Sequence, residues 1–472
     1  LRGSASLASR GGEWTVSAGG DWNRTEGAFE YPVPEVRGGG VTTRENAGVR
    51  TASGFVQGVW EPTEGARLRL RVHGRDAERG SPGTIVQPSL TGHHEQRRIG
   101  AVLQAEAGDA AGGWTAMVGG DEHRALFADP DPPFGPSYRS DVRVRQVEAR
   151  GEVRRTRGAV EAAAGLDGRV RRIRATTLEA GAPDRIAGAG AWLRGRWRAG
   201  RPDGRFVEVS ATLRGDVHDL LDGVVASPSL SVLLGRGGTS LEASVGSSLS
   251  PPDLSDLFFQ EGVLAEANPE LAPERVQGEV GLELRQRLEG DGWEGVLGVA
   301  GFRADIQGMI LWFPDFRFVW SPENVDVRRR GLEVDGELRA GALSSLRAGV
   351  SWTQVRYDGA VLDGQVVYRP GLTADASARL SLAGAGWSAR WRGVGPRRTS
   401  PGTDLNELPG YGRLDLGVAL PVRLEGMTAS VELGVENVLD DPAALLVDYP
   451  LPGRTFVVRA RLGSPLGGGR DR

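Results

Sequence analysis

Few residues in this chain could do chemistry by themselves. There are 5 histidines and no cysteine, so a thiolate metal site or a disulfide frame has no ligands. His93 and His94 are adjacent in a strand-like segment, and neighbouring strand residues point to opposite faces, which argues against joint metal ligation. Asp129 and Asp131, in Asp129-Pro-Asp-Pro-Pro133, carry the oxygen ligands calcium takes, but the proline spacing reads as a stiff loop. Gly38-Gly-Gly40 leads into neither Lys nor a helix, so it is not a phosphate loop. No Ser or Asp stands beside a base in a hydrolase-like turn; neither catalysis nor a cofactor is expected. What remains are loop aromatics. Trp312, Phe313, Phe316, Phe318 and Trp320 fall in one hairpin, Phe258 and Phe259 in the neighbouring loop, and Phe134 and Tyr138 in an earlier one. Apolar and aromatic surfaces with a few polar groups suit capture of a bulky chelate. The competing reading of the same residues is loop packing or an upper aromatic girdle.

The elements that must position them follow from periodicity. In Arg67-Leu68-Arg69-Leu70-Arg71-Val72 the arginines share one face and the aliphatics the other. Leu332, Val334 and Leu338 oppose Glu333, Asp335, Glu337 and Arg339, and Phe456, Val458, Ala460 and Leu462 oppose Thr455, Arg459 and Arg461. Period two places these sets on opposite sheet faces. The expected strands are 1–10, 13–23, 47–61, 66–77, 93–108, 113–126, 139–155, 158–178, 184–199, 205–219, 224–235, 239–250, 273–289, 293–312, 325–340, 345–358, 366–382, 386–398, 411–422, 427–438 and 453–463. One phase slip, from Val142 and Val144 to Val147 and Ala149, suggests a bulge. Gly-rich turns of a few residues (Gly65, Gly112-Gly113, Gly200 to Gly204, Gly290 to Gly292) alternate with long polar loops (Arg24 to Asn46, Arg79 to Gly92, Ser250 to Ala272, Arg398 to Gly410). One tight rim and one elaborate rim are the asymmetry of a transmembrane antiparallel up-and-down β-barrel.

The bulk numbers agree. Of 472 residues, 39% are hydrophobic, low for a globular chain but natural where one face of each strand meets a wet lumen. No apolar run reaches the roughly 18 residues of a membrane helix, whereas a membrane strand needs only about 9–11. Every basic residue is Arg, and the net charge of −4 offers nothing to nucleic acid. An Arg on the lipid face near the midplane costs about 2–4 kcal/mol, so the arginines belong in the lumen or at the membrane boundary. By default they pair there with Asp and Glu of adjacent strands. Most of the 12 tryptophans lie in or at the ends of strands, as interface girdles require. A soluble sandwich would show the same periodicity, which alone does not prove a membrane.

Six passages resemble the barrel of the TonB-dependent outer-membrane receptors, nearest the cobalamin and ferric-siderophore type. They run in the family's order over roughly residues 250 to 463. Ser250-Pro-Pro-Asp-Leu-Ser-Asp-Leu-Phe258 and Asn268-Pro269-Glu-Leu-Ala-Pro273-Glu274-Arg275 resemble its loop and following strand opening. Asn324-Val-Asp-Val-Arg-Arg-Arg-Gly331-Leu-Glu333 and Gly410-Tyr-Gly-Arg-Leu-Asp415 resemble two further openings. Glu436-Asn437-Val-Leu-Asp440 and Tyr449-Pro-Leu-Pro-Gly453-Arg454-Thr-Phe456 resemble its closing segments. The resemblance implies short turns on the periplasmic side and long loops outside the cell. It also implies capture of a scarce, bulky solute, with a ferric siderophore first and cobalamin second, and import driven by the TonB energy-coupling complex through a plug. Residues 1–463 then form an all-β barrel with about 21 strands of a family total of about 22. Residues 464–472 read as a flexible tail. The first strand, the plug and the TonB-contacting box are not found in the sequence; whether the chain is a fragment, or the plug is encoded elsewhere or lost, stays open, as does a passive channel or a surface β protein.

Overall fold

A computed structural model of the chain is built almost wholly of strands. It describes residues 1–33, 35, 38–133, 135–178, 181–201, 204–258, 265–314, 319–341, 344–359, 364–400, 407–424 and 427–463. A single antiparallel sheet holds 21 strands. They are Arg2–Gly11, Trp14–Thr25, Val49–Thr63, Ala66–Gly80, His93–Asp109, Gly112–Asp129, Tyr138–Arg157, Val160–Ala175, Arg185–Gly200, Arg205–His218, Val225–Arg236, Thr239–Ser250, Glu274–Gly290, Trp293–Pro314, Trp320–Ala340, Ser344–Tyr357, Leu372–Leu382, Ala385–Val394, Tyr411–Leu424, Met427–Glu436 and Thr455–Gly463. Each pairs with its neighbours in the chain. Among the described residues Arg2–Gly11 pairs only with Trp14–Thr25, and Thr455–Gly463 only with Met427–Glu436, so the sheet keeps two edges.

Tight and long connections alternate as expected. At the tight rim Gly65 turns with φ 81°, and a Cβ there would lie 2.2 Å from the Gly108 carbonyl oxygen; only glycine fits. The long loops carry the helix Leu254–Phe258 and three short hairpins, Phe29–Pro32 with Val41–Arg44, Arg397–Arg398 with Glu407–Leu408, and Ala444–Leu446 with Tyr449–Pro450. Two boundaries move by more than a few residues. Trp320–Ala340 begins earlier than expected because its hairpin continues above the rim. Leu372–Leu382 begins later because Tyr368, at φ 57°, leaves the extended conformation.

The expected bulge near Val147 does not exist. Tyr138–Arg157 stays in unbroken register with both neighbours. The phase slip marks a change in what the inner face meets. Val142 and Val144 turn inward onto an apolar cluster in the mouth, while Val147 and Val153 lie on the outer face, 60% and 59% exposed.

The outer face is an apolar band. Leu70, Val118, Leu166, Leu193, Leu332 and Leu416 all stand exposed on it. A patch of this extent is untenable in water and natural in lipid. Exposed tryptophans bound the band on both sides: Trp14, Trp114, Trp197, Trp293 and Trp387 near the tight turns, and Trp22, Trp352 and Trp391 toward the long loops. Trp14 stacks on Trp60 at 5.5 Å. Trp192 departs from the girdle: it is 7% exposed and faces the lumen, with Arg150 and Arg214 over its ring at 4.7 and 5.5 Å. Arg214 also bridges Asp167 (2.7 Å) and Asp216 (2.6 Å), so three adjacent strands share one guanidinium. Many lumen arginines pair this way, among them Arg67 with Glu61 and Glu106, and Arg339 with Glu294 and Glu337.

Candidate functional site

The mouth at the long-loop rim is filled on one side. The helix Leu254–Phe258 drops Leu254, Leu257 and Phe258 onto Val142, Ile173, Ile186 and Leu271, all less than a tenth exposed. Polar groups fix its approach. Asn268 Nδ2 donates to the Pro322 carbonyl (2.9 Å), its backbone N–H donates to the Asp256 carbonyl (2.7 Å), and its Oδ1 accepts from the Glu270 N–H (3.0 Å). Asn324 accepts from Ala272 N–H (2.7 Å) and donates to the carbonyls of Ala272 (2.9 Å) and Gly308 (2.7 Å). The Trp312 indole donates to the Asp256 carboxylate, while burial and the neighbouring Asp253 carboxylate hold Asp256 above the ordinary carboxylate range.

The opposite side is open. A cavity of about 990 Å³ lies among five long loops. Its walls include Tyr31, Val41, Ile85, Tyr368, Leu408 and Tyr449. Tyr31 is 6% exposed. Two buried arginines brace the surrounding loops without a carboxylate partner among the described residues. Arg397, 6% exposed, donates to the carbonyls of Leu445 (2.9 Å) and Ala444 (2.7 Å) and lies 5.4 Å over the Tyr411 ring. Arg44, 5% exposed, donates to the Gly83 carbonyl and lies 5.6 Å over the Tyr449 ring. Carbonyl dipoles and ring faces thus replace part of the hydration these cations lose, while Arg397 Nε is buried without a hydrogen-bond partner among the described residues.

The aromatic residues marked in the sequence do not form one site. Phe258 is buried in the packed side. Phe313 lies 6.4 Å from the Tyr357 ring, against a second buried cluster around Val327 and Val366. Tyr138 meets Phe127 at 5.8 Å, and Phe127 meets His94 at 4.6 Å. Trp320 is 40% exposed, with its carbonyl taking the Glu266 N–H at 2.9 Å. Phe134, Phe259, Phe316, Phe318 and the tail 464–472 lie outside the described residues. Sequence reasoning missed Tyr31, Tyr368 and Tyr449. Its available signal was the Tyr-Pro pair repeated in two long loops, Tyr31-Pro32 and Tyr449-Pro450.

The motif residues are mostly clamps. Pro269 and Pro273 flank the Asn268 and Asn324 clamps, and Glu274 opens its strand opposite Ser250. Asn437 is fully buried at φ 51°, donates its N–H to Asp415, and exchanges two bonds with Asp441. Gly453 leaves room for Asp440, which takes the Arg454 N–H at 2.7 Å, and Arg454 Nε reaches the Val438 carbonyl at 3.0 Å. A Cβ on Gly331 would lie 2.5 Å from the Phe302 ring. Glu333 takes the Ser351 hydroxyl, and Phe456 is exposed on the outer face. Asp129 is spent on the Ser89 and Thr91 hydroxyls, each at 2.7 Å, and among the described residues no group of three or more His, Asp or Glu is arranged to hold a metal.

Comparison with known proteins agrees with this architecture. A family model described as TonB dependent receptor-like, beta-barrel, matches residues 110–438, so the first half carries family signal that its motifs did not show. The vitamin B12 transporter BtuB of Vibrio vulnificus (strain CMCP6) is 28% identical over 174 residues, 37% of this chain and 26% of that transporter; the chain thus aligns with about a quarter of that relative. Among solved structures, the copper transporter OprC superposes with a TM-score of 0.77 at 17% identity, covering 98% of this chain and 78% of that one. A mutant of the ferric enterobactin receptor PfeA from Pseudomonas aeruginosa gives 0.72 at 16% identity, covering 98% and 77%. At these identities the structures share the fold alone. The family model spans more than half of the chain, and its members are receptors, not enzymes. This chain belongs to the TonB-dependent receptor-like β-barrels of the Gram-negative outer membrane.

Proposed function

We propose that the barrel captures a bulky, scarce solute at its long loops, a ferric siderophore first and cobalamin second. Import then requires the TonB energy-coupling complex, acting through a plug encoded outside these residues. One further strand, preceding Leu1, would pair with the two sheet edges. The observation that carries the ligand reading is the cavity of about 990 Å³ walled by Tyr31, Tyr368 and Tyr449. Its volume and its apolar, aromatic walls suit a large chelate. Relatives named for vitamin B12, copper and ferric enterobactin share the barrel, so the loops must choose the ligand.

The test is a fluorescence titration of the full-length protein with a panel of ferric siderophores and cobalamin, followed by uptake in cells with and without a working energy complex. Saturable binding of one class, weakened by Tyr368→Ala with Tyr449→Ala, supports the reading. Equal binding by the variant moves the ligand to another part of the mouth. Uptake that persists without the energy complex favours a passive channel.

A further inference from the structure

The outer face ends abruptly in charge. On five consecutive strands the outward residues of the band are apolar and then turn ionic at one step toward the long loops. Ile99 gives way to Arg97, Gly120 to Glu122, Val147 to Arg145, Val170 to Arg172, and Ala187 to Arg185. This is the outer boundary of the hydrocarbon layer, and arginine dominates it.

The register sharpens the point. Arg97, Arg124, Arg143 and Arg174 stand directly opposite one another across four strands. Arg145, Arg172 and Arg185 form a second row. Like charges directly opposite in a sheet repel. Carboxylates relieve part of this: Asp76 holds Arg97 at 2.9 Å, Asp141 holds Arg124, Glu122 serves both Arg143 (3.7 Å) and Arg145, and Asp184 lies 3.6 Å from Arg172. Arg174 and Arg185 are exposed and have no carboxylate partner among the described residues.

Below the belt, on Tyr138–Arg157, Val160–Ala175, Arg185–Gly200 and the next strand, Arg205–His218, runs an apolar groove of about 880 Å³. Val153, Leu166, Leu193 and Leu213 form its ridges, and Gly151, Ala164, Ala191 and Gly215 its floor. Leu166 lies six residues below Arg172, about 20 Å along a strand and about 14 Å in depth at a tilt of ~45°. One leaflet of hydrocarbon is about 15 Å deep, so a chain hanging from the belt reaches the groove.

We infer that this face is a seat for a phosphorylated lipid of the outer leaflet. Its phosphates lie against the arginine rows through charge-assisted hydrogen bonds, and its acyl chains lie in the groove. The site is independent of the solute reading, because it faces away from the lumen and the loop cavity.

The experiment is native mass spectrometry of the full-length protein extracted from the outer membrane in mild detergent and offered two glycolipids with the same acyl chains, one diphosphorylated and one without phosphate. The diphosphorylated lipid is expected to stay bound and the phosphate-free one to wash off. Arg143→Gln, Arg174→Gln and Arg185→Gln should each lower retention about five-fold, in line with the strength of a basic side chain at an anionic surface. Replacement of the same three by Lys, which keeps the charge, should restore most of it and shows that the glutamine variants fail by charge and not by misfolding. Equal retention of the two lipids, or unchanged retention by the triple glutamine variant, overturns the proposal. Displacement of the lipid by inorganic phosphate at millimolar concentration also overturns it, since that would make the rows a free-anion site.

Discussion

On one side of the mouth Leu254, Leu257 and Phe258 plug the space above Ile173 and Ile186; on the other, Tyr31, Tyr368 and Tyr449 surround an open volume. The packed side has a continuous apolar inner wall, supplied by Val142, Ile173 and Ile186 at the tops of three adjacent strands. A loop that brings its own leucines can collapse on it. The open side is held by Arg44 and Arg397, whose guanidinium groups tie loop carbonyls together without filling the space between them. Apolar infill closes a mouth; buried cations on carbonyls brace one that stays open.

The largest effect should come from the packed side. Phe258→Ala removes a buried ring and is expected to cost about 3–5 kcal/mol, read as faster amide exchange and protease cutting within residues 250–274. Solute affinity should change less than about two-fold if the two sides are independent. A large loss of affinity would break the comparison and return Phe258 to the binding surface.

Asn268→Ala comes next. It leaves the Pro322 carbonyl and the Glu270 N–H without their partner, at about 1–3 kcal/mol for each group that water does not reach. Exchange should rise in the same loop, with the Tyr449 side unaffected. For the open side the readout is affinity. Tyr368→Ala or Tyr449→Ala should weaken solute binding about ten-fold, the effect of removing one aromatic anchor worth about 1.4 kcal/mol. Loop exchange around residues 250–274 should not move. Tyr449→Phe keeps the ring under Arg44 and should retain most of the affinity.

The two sides were not equally legible in the chain. Strand order, the alternation of rims and the inward arginines follow from period two and from glycine turns such as Gly65, all local signals. The packed side left a trace as well, because the shift from Val144 to Val147 records the inner wall turning apolar, although its meaning needed the register. The open cavity left almost none. Tyr31, Tyr368 and Tyr449 come from loops far apart in sequence, and the tertiary arrangement of the strands, not spacing, brings them together. The outward arginine rows were equally hidden: Arg97, Arg124, Arg143 and Arg174 look like ordinary members of alternating strands until pairing sets them side by side.

The smallest effect concerns the seam of the packed side, Asp256. Burial and the Asp253 carboxylate raise its pKa, and the Trp312 indole only partly offsets them. A carboxyl whose pKa is higher folded than unfolded binds its proton more tightly in the folded state. It therefore favours the packed loop at low pH, and that contribution is lost as pH rises from the ordinary carboxylate value through the raised one. Asp256→Asn keeps an oxygen for Trp312 and removes the charge. At neutral pH the variant loop should exchange more slowly than the native one, and its exchange should be flatter across the acid range. Native and variant should converge at low pH, where Asp256 is protonated. If instead the variant loop opens more readily at neutral pH, the ionised carboxylate is holding Trp312 in place, and the packed side depends on charge as the open side does.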